Sequence, residues 1–269
     1  MDVRDEATEL VSAVRAYLEW HEAAGTVGIP RGKTPQPKMS QPAEMSAEVG
    51  VEIGQQPPAE MPQASAPSIV TSIDRNVRLP QLADEVRGCT RCGLATTRTN
   101  TVFSRGNPDA SLCFIGEAPG ADEDAQGIPF VGRAGQLLDK MIAAMGLSPE
   151  RDAYVCNILK CRPPENRRPT PDEMQTCFPY LHEQLDLVKP KVIVALGNTA
   201  VAALLNTTIG ITRLRGQWKL YRGTIPVMPT YHPSYLLRPS GQQLEAKRQA
   251  WEDLQAVMKE LGLAIPKRG

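Results

Sequence analysis

Apolar side chains recur at three- and four-residue steps near the start of the chain. Val3, Ala7, Leu10, Val11, Val14 and Leu18 fall on one face of a helix over residues 3–23, and Gly25 is a natural stop. The pattern then disappears. From about Thr26 to Ile73 the chain is rich in Pro, Gln, Ala, Ser and Met, with no sustained period. Such a segment cannot bury enough apolar surface to offset its ordering entropy, so a disordered linker is expected. From about Leu79 onward, short apolar runs alternate with helical periods. Strands are expected at Ser111–Ile115, Ala153–Ile158, Lys191–Leu196 and Ile225–Met228. Helices are expected at Gln81–Arg87, Ala134–Met145, Asn198–Leu205 and about Gln243–Leu261. One more begins near Thr170, a natural N-cap, with Pro171 at the first helical position and Asp172 and Glu173 suited to its N-terminal dipole.

This alternation predicts an α/β fold: three layers, α/β/α, around a mostly parallel, four-stranded central sheet. The chain divides into an N-terminal helix (1–25), a Pro-rich disordered linker (26–75) and an α/β domain (76–269). Ligands of such folds bind beyond the carboxyl ends of the strands. Gly116–Gly120, Asn157 and His232 all fall at predicted strand exits.

Composition narrows the class. Of 269 residues, 41% are hydrophobic and 22% charged, which excludes a wholly disordered chain. No apolar run approaches the ~20 residues that span a bilayer. The opening stretch MDVRDEATEL carries acids where an export signal carries bases, so a cytoplasmic protein without membrane attachment is expected. The formal net charge is zero, from 30 basic and 30 acidic side chains, and at first sight this disfavours nucleic acid. Residues 1–80, however, hold 11 acids and 7 bases, and the remainder 19 acids and 23 bases. The globular part is therefore basic by about four charges, and an acidic N-terminal region masks it.

Six cysteines in a cytoplasmic chain point to metal ligands, reactive thiols or small core residues rather than disulfides. Cys113 and Cys156 sit inside apolar strands and read as core. Cys89 and Cys92 form a CxxC, a spacing that lets two thiolates grip one metal centre. Cys161 and Cys177 complete a candidate set of four. No second short-spaced pair exists, as a zinc ribbon would have, whereas iron–sulfur clusters accept ligands from scattered segments. Spacing alone leaves the metal open and also admits a redox CxxC beside unrelated thiols.

Four further motifs could line a pocket. Gly116-Glu117-Ala118-Pro119-Gly120 makes a tight turn after a strand, letting backbone N–H groups approach a ligand. Phe130, in a glycine-rich loop, could stack on a flat base or fill the core. The amide of Asn157 can pair with a donor and an acceptor on one base edge, or simply cap a turn. His232 lies in Thr230-Tyr231-His232-Pro233-Ser234-Tyr235-Leu236-Leu237-Arg238, at a strand exit beside proline and large apolar side chains.

Together these stretches resemble the family 4 (type-4) uracil-DNA glycosylases, an iron–sulfur branch of the uracil-DNA glycosylase superfamily. The resemblance runs from about Arg87 to Leu261. It rests on GEAPGADEDAQGIPFVGRAGQLLD, YVCNILKCRPPENRRPTPDE, VALGNTA and PTYHPSYLLR, in that order. It implies a uracil-DNA glycosylase-like fold, base excision repair of uracil in single- or double-stranded DNA, and a [4Fe–4S] cluster on Cys89, Cys92, Cys161 and Cys177. It also implies that the nucleotide is flipped into a pocket and its N-glycosidic bond hydrolysed to leave an abasic site. By the same resemblance Phe130 stacks on uracil, Asn157 reads its N3–H and O4 edge, and His232 donates towards O2 as charge grows there. The Gly116–Ala118 backbone lines the pocket, and Glu123 crowds the C5 position against a thymine methyl.

Familiar enzymes of another branch carry an aspartate where this chain has Ala118. Glu117 and Asn166 are the candidates for positioning a water. Tyr235, Leu236 and Leu237 are candidate wedges for the gap a flipped base leaves. Arg162, Arg167, Arg168 and Arg238 are candidate phosphate contacts. Lys160 leaves open a lyase step. The N-terminal extension departs from the family pattern, and its helix is a candidate docking element for a protein partner. A monomer is expected. The competing reading, motivated by Ala118, is a non-catalytic iron–sulfur DNA-binding module.

Overall fold

The computed structural model describes residues 74–239 and 241–265. The expected N-terminal helix and nearly all of the linker lie outside them. The first described element, α1 (Arg75–Arg87), begins at the last residue assigned to the linker. Asp74 caps it by accepting from the Asn76 N–H at 2.9 Å. Pro80 sits inside this helix, one residue before the start expected at Gln81.

The strongest hydrophobic runs form the sheet. Strands β2 (Leu112–Gly116), β3 (Ala153–Asn157) and β4 (Val192–Leu196) are buried at every position, as expected where both faces of a parallel sheet are covered. The sixth strand, β6 (Ile225–Thr230), completes the parallel set. Two short strands pair antiparallel at the edges: β1 (Arg105–Gly106) against β3, and β5 (Lys219–Tyr221) against β6. The sheet thus has six strands in the order β1-β3-β2-β4-β6-β5, not four. Two- and three-residue strands carry too few positions to show a period, and each exists because a longer neighbour offers a free edge.

Alternating side chains of the parallel strands feed two cores. Cys113, Ile115, Tyr154, Cys156, Ile193 and Ala195 pack on one face against α4 (Pro171–Val188) and α5 (Gly197–Leu205). Leu112, Phe114, Val155, Val192 and Val194 pack on the other face against α3 (Arg133–Ala144) and α8 (Gln243–Glu260). This is the expected three-layer arrangement, and Cys113 and Cys156 are core residues within it. Short helices α2 (Ala121–Gln126), α6 (Ile211–Leu214) and α7 (Pro233–Leu236) occupy the loops between. No helix among the described residues is long and apolar enough to cross a membrane.

Within the parallel set the chain starts at β2, adds β3 on one side, then crosses to β4 on the other. That reversal separates the loops leaving the carboxyl ends of the central strands, which is where a crevice opens in folds of this kind.

Candidate active site and cysteine site

A cleft of about 220 Å³ opens there. It is lined by Glu117 to Gly120 after β2, by Asn157 at the end of β3, by Phe130 and Ala134, and by Pro163, Asn166, Arg167, His232 and Ser234. The register pairs Gly116 with Asn157, so the two strand ends form the floor side by side. A side chain on Gly116 would collide with the Asn157 Oδ1 and meet Phe130 Cζ at 2.5 Å. Asn157 is buried, and its Oδ1 has no hydrogen-bond partner among the described residues. A buried carbonyl oxygen left unpaired costs about 1–3 kcal/mol, so a donor entering the cleft would recover that free energy.

Phe130 forms one wall. Its φ of 56° lies in the left-handed region, which a bulky side chain enters at a cost. Glu123 holds the loop in this shape. Its carboxylate accepts from the N–H groups of Val131 (3.0 Å) and Gly132 (2.9 Å) on one oxygen, and from Gly120 (3.0 Å) on the other. The acid expected to crowd a substrate carbon therefore reaches the cleft lining with its oxygens already committed to three backbone donors. Its sequence signal, an acid in the first turn of a helix, is also that of a cap.

His232 faces Phe130, with ring centroids 5.7 Å apart and planes tilted by 30°. It caps α7: the Ser234 N–H donates to Nδ1 at 3.1 Å, and the Ser234 hydroxyl lies 2.8 Å from the same nitrogen. An Nδ1 that accepts belongs to a neutral imidazole whose proton sits on Nε2. Burial pushes the His232 pKa down to about 4, with the Arg238 charge adding to the effect, so the ring is neutral near pH 7. Gly197 (φ 86°) packs against the ring's base, and a side chain there would come 2.9 Å from His232 Cβ.

The residues just before His232 are braced from below. The Asp253 carboxylate, buried on α8, pairs with Arg215 and accepts from the Thr230 hydroxyl at 2.6 Å. The Tyr231 hydroxyl donates to Gln249 at 3.0 Å. Sequence patterns did not single out this brace, because its bonded partners are 18–38 residues apart and individually ordinary.

Other expected contacts divide. Glu117 lines the cleft, half-buried. Asn166 lines it too, but its Oδ1 accepts from Arg162 Nε at 2.8 Å, tying both into the turn. Arg167 grips the Glu173 carboxylate through both terminal nitrogens, at 2.8 and 2.6 Å, and is an ion-pair partner before it is a phosphate contact. Arg168 and Arg238 are exposed. Of the wedge candidates, Leu236 is buried in a small core with Tyr231, Ala246 and Ala250, which removes it from that role. Tyr235 is exposed and packs on Tyr231, and Leu237 is half-buried. Lys160 is buried and absent from the cleft lining, so the structure does not offer it as a nucleophile there.

A second cavity gathers the four scattered cysteines. Cys89, Cys92, Cys161 and Cys177 line it with Arg91, Arg98, Lys160 and Tyr180. All four are free thiols. Arg98 donates to Cys161 Sγ at 3.2 Å, and the Lys160 backbone N–H donates to Cys177 Sγ at 3.3 Å. Burial pushes the Cys161 thiol up to about 11, opposed by Arg98, and raises that of Cys177 as well. Among the described residues, no three His, Cys, Asp or Glu side chains converge closely enough to hold a single metal ion. The donor set of four sulfurs, two N–H···S bonds and neighbouring cations fits an anionic, sulfur-ligated group wider than one ion.

Fold and cleft define a class: an α/β protein with a cleft where its parallel strands end, lined by Phe130, Asn157 and His232. A family model described as the uracil DNA glycosylase superfamily matches residues 103–255. The type-4 uracil-DNA glycosylase of Thermotoga maritima is 44% identical over 175 residues, spanning 65% of this chain and 90% of that protein. That of Archaeoglobus fulgidus is 44% identical over 170 residues, spanning 59% and 83%. A type-5 uracil-DNA glycosylase of Pyrobaculum aerophilum is 32% identical over 146 residues, spanning 49% and 64%. The chain belongs to the uracil-DNA glycosylase superfamily and, within it, to the type-4 branch.

Proposed function

We propose that this chain excises uracil from DNA by hydrolysing the N-glycosidic bond of a flipped nucleotide, leaving an abasic site for base excision repair. The observation that carries the reading is the unpaired, buried Oδ1 of Asn157, set between Phe130 and a neutral His232. Uracil offers a donor at N3–H and an acceptor at O4, which one amide satisfies together. Cytosine offers the opposite pattern and would leave both groups unpaired. The bare Gly116 floor leaves room for the ring, and Phe130 supplies the stacking face.

His232 donates from Nε2 to uracil O2. As the bond to the sugar breaks, negative charge accumulates on the base, and a fixed neutral donor stabilises it without reorganising. Glu117 is the candidate for holding the attacking water, since the Asn166 oxygen already accepts from Arg162. Tyr235 and Leu237 remain to fill the vacated stack, and Arg168 and Arg238 to meet phosphates. DNA is the macromolecular partner.

Cys89, Cys92, Cys161 and Cys177 would hold a [4Fe–4S] cluster. When bound, that group cross-links the loop after α1, the loop after β3 and helix α4. Its thiols give up protons on binding, as ligation of buried cysteines requires.

The test is release of free base from oligonucleotides carrying U, hypoxanthine or T opposite G, and from single-stranded U. Uracil release with T left intact is expected. No cleavage by iron-loaded protein at micromolar concentration would leave the non-catalytic binding module as the surviving reading.

A further inference from the structure

We propose that Lys160 is the resident counter-cation of the four-cysteine site and sets the reduction potential of the group bound there. This rests on the iron–sulfur reading above. Lys160 is 1% exposed, among the most deeply buried charged side chains described. Its ammonium donates to the Asn157 carbonyl at 2.7 Å and stands 5.9 Å from the centre of the Phe103 ring. Among the described residues no carboxylate lies within ion-pair distance of it. One carbonyl and one ring face do not balance a buried ammonium, and an uncompensated buried charge is strongly destabilising.

The cysteine cavity can supply that negative charge. Lys160 lines the cysteine cavity, its own N–H donates to Cys177 Sγ, and Cys161 follows it in the chain. Four thiolates around an iron–sulfur core carry net negative charge, and adding an electron makes it larger. A fixed ammonium nearby therefore favours the reduced form and raises the potential, by the same electrostatics through which net charge and hydrogen bonds to sulfur tune such clusters. Arg98 also touches Cys161, but its guanidinium is only part-buried, so solvent screens it more. The same ammonium holds the Asn157 peptide, which places the counter-cation between the cysteine site and the cleft floor.

The test uses the full chain as purified, with iron content and the midpoint potential from protein-film voltammetry as readouts. Lys160→Met removes the charge at similar volume, and Lys160→Arg keeps it. A loaded Lys160→Met protein with a more negative midpoint than wild type supports the proposal. So does failure of Lys160→Met to load iron while Lys160→Arg loads it. A loaded Lys160→Met protein at the wild-type midpoint overturns it, and so does loss of iron from both variants, which would assign Lys160 to packing. Iron-free wild-type protein fails the cluster reading itself and takes the proposal with it. Loaded wild type beside an unshifted variant fails the proposal alone.

Discussion

Asn157 shows how a single amide acquires a function from its surroundings. On a surface it would be one polar residue among many. At the buried end of β3, with Gly116 beside it and no partner for Oδ1 among the described residues, it is the group proposed to read what enters. Asn157→Asp replaces the amide donor with a second acceptor. The uracil-over-cytosine margin in kcat/KM is expected to narrow by about 10- to 100-fold, the cost of mismatching a buried polar group. An unchanged margin in paired U and C oligonucleotides would remove Asn157 from the reading role.

His232 makes a prediction with a sign. Its folded pKa of about 4 lies below the ordinary 6.5. Its contribution to stability is therefore present above pH 6.5 and is lost as pH falls from there through 4, because the unfolded chain takes up the proton first. The ring should stay neutral through the neutral range, and an NMR titration with a midpoint near the ordinary value would contradict this. His232→Ala is expected to lower kcat by about 10²–10³, as loss of one preorganised donor does elsewhere. Phe130, Asn157 and His232 were legible in the sequence as chemistry. Glu123 and Arg167 were legible only as charged residues near the site, because a carboxylate that caps and one that meets substrate look alike until their partners are known.

At the scale of elements, local rules succeeded where they were complete. Thr170, Pro171 and Glu173 form a capping box: Thr170 Oγ1 accepts from the Glu173 N–H at 3.2 Å, and Glu173 accepts from the Thr170 N–H at 2.8 Å. Arg167 beside it, with the Thr170 hydrogen bonds, holds the Glu173 carboxyl down to about 2. Thr170→Ala should cost about 1 kcal/mol by denaturant unfolding, and the helix carries Cys177, so iron retention should weaken with it. A stability loss within error would show that Glu173 and Arg167 hold the terminus without the hydroxyl. The edge strands, α2, α6 and α7 escaped the sequence reading because each is six residues or fewer and owes its form to neighbours. Pro233 at the first turn of α7 was a signal for that helix, and its burial of Leu236 follows from the Tyr231–Ala250 packing.

Across the whole molecule, the 69 positions between Cys92 and Cys161 are a separation in sequence that the fold erases, since all four thiols line one cavity. Cys161→Ser should therefore release iron and bleach the visible absorbance even though Cys89 and Cys92 are untouched; full retention would refute Cys161 as a ligand. The basic balance of the globular part suits DNA, but four charges are few, so affinity should come from a few phosphate contacts and the flipped base rather than bulk attraction.

The sequence by itself determined the class of fold, the four long strands, the helices that cover them and the types of chemistry at the strand exits. Those are properties of periodicity and of residue identity, and both are local. Tertiary structure alone decided which charges were already spent, which leucine was core, and that Lys160 lies between two sites. Hydrogen-bond partnership and burial depend on what approaches from distant parts of the chain, and no local pattern encodes them.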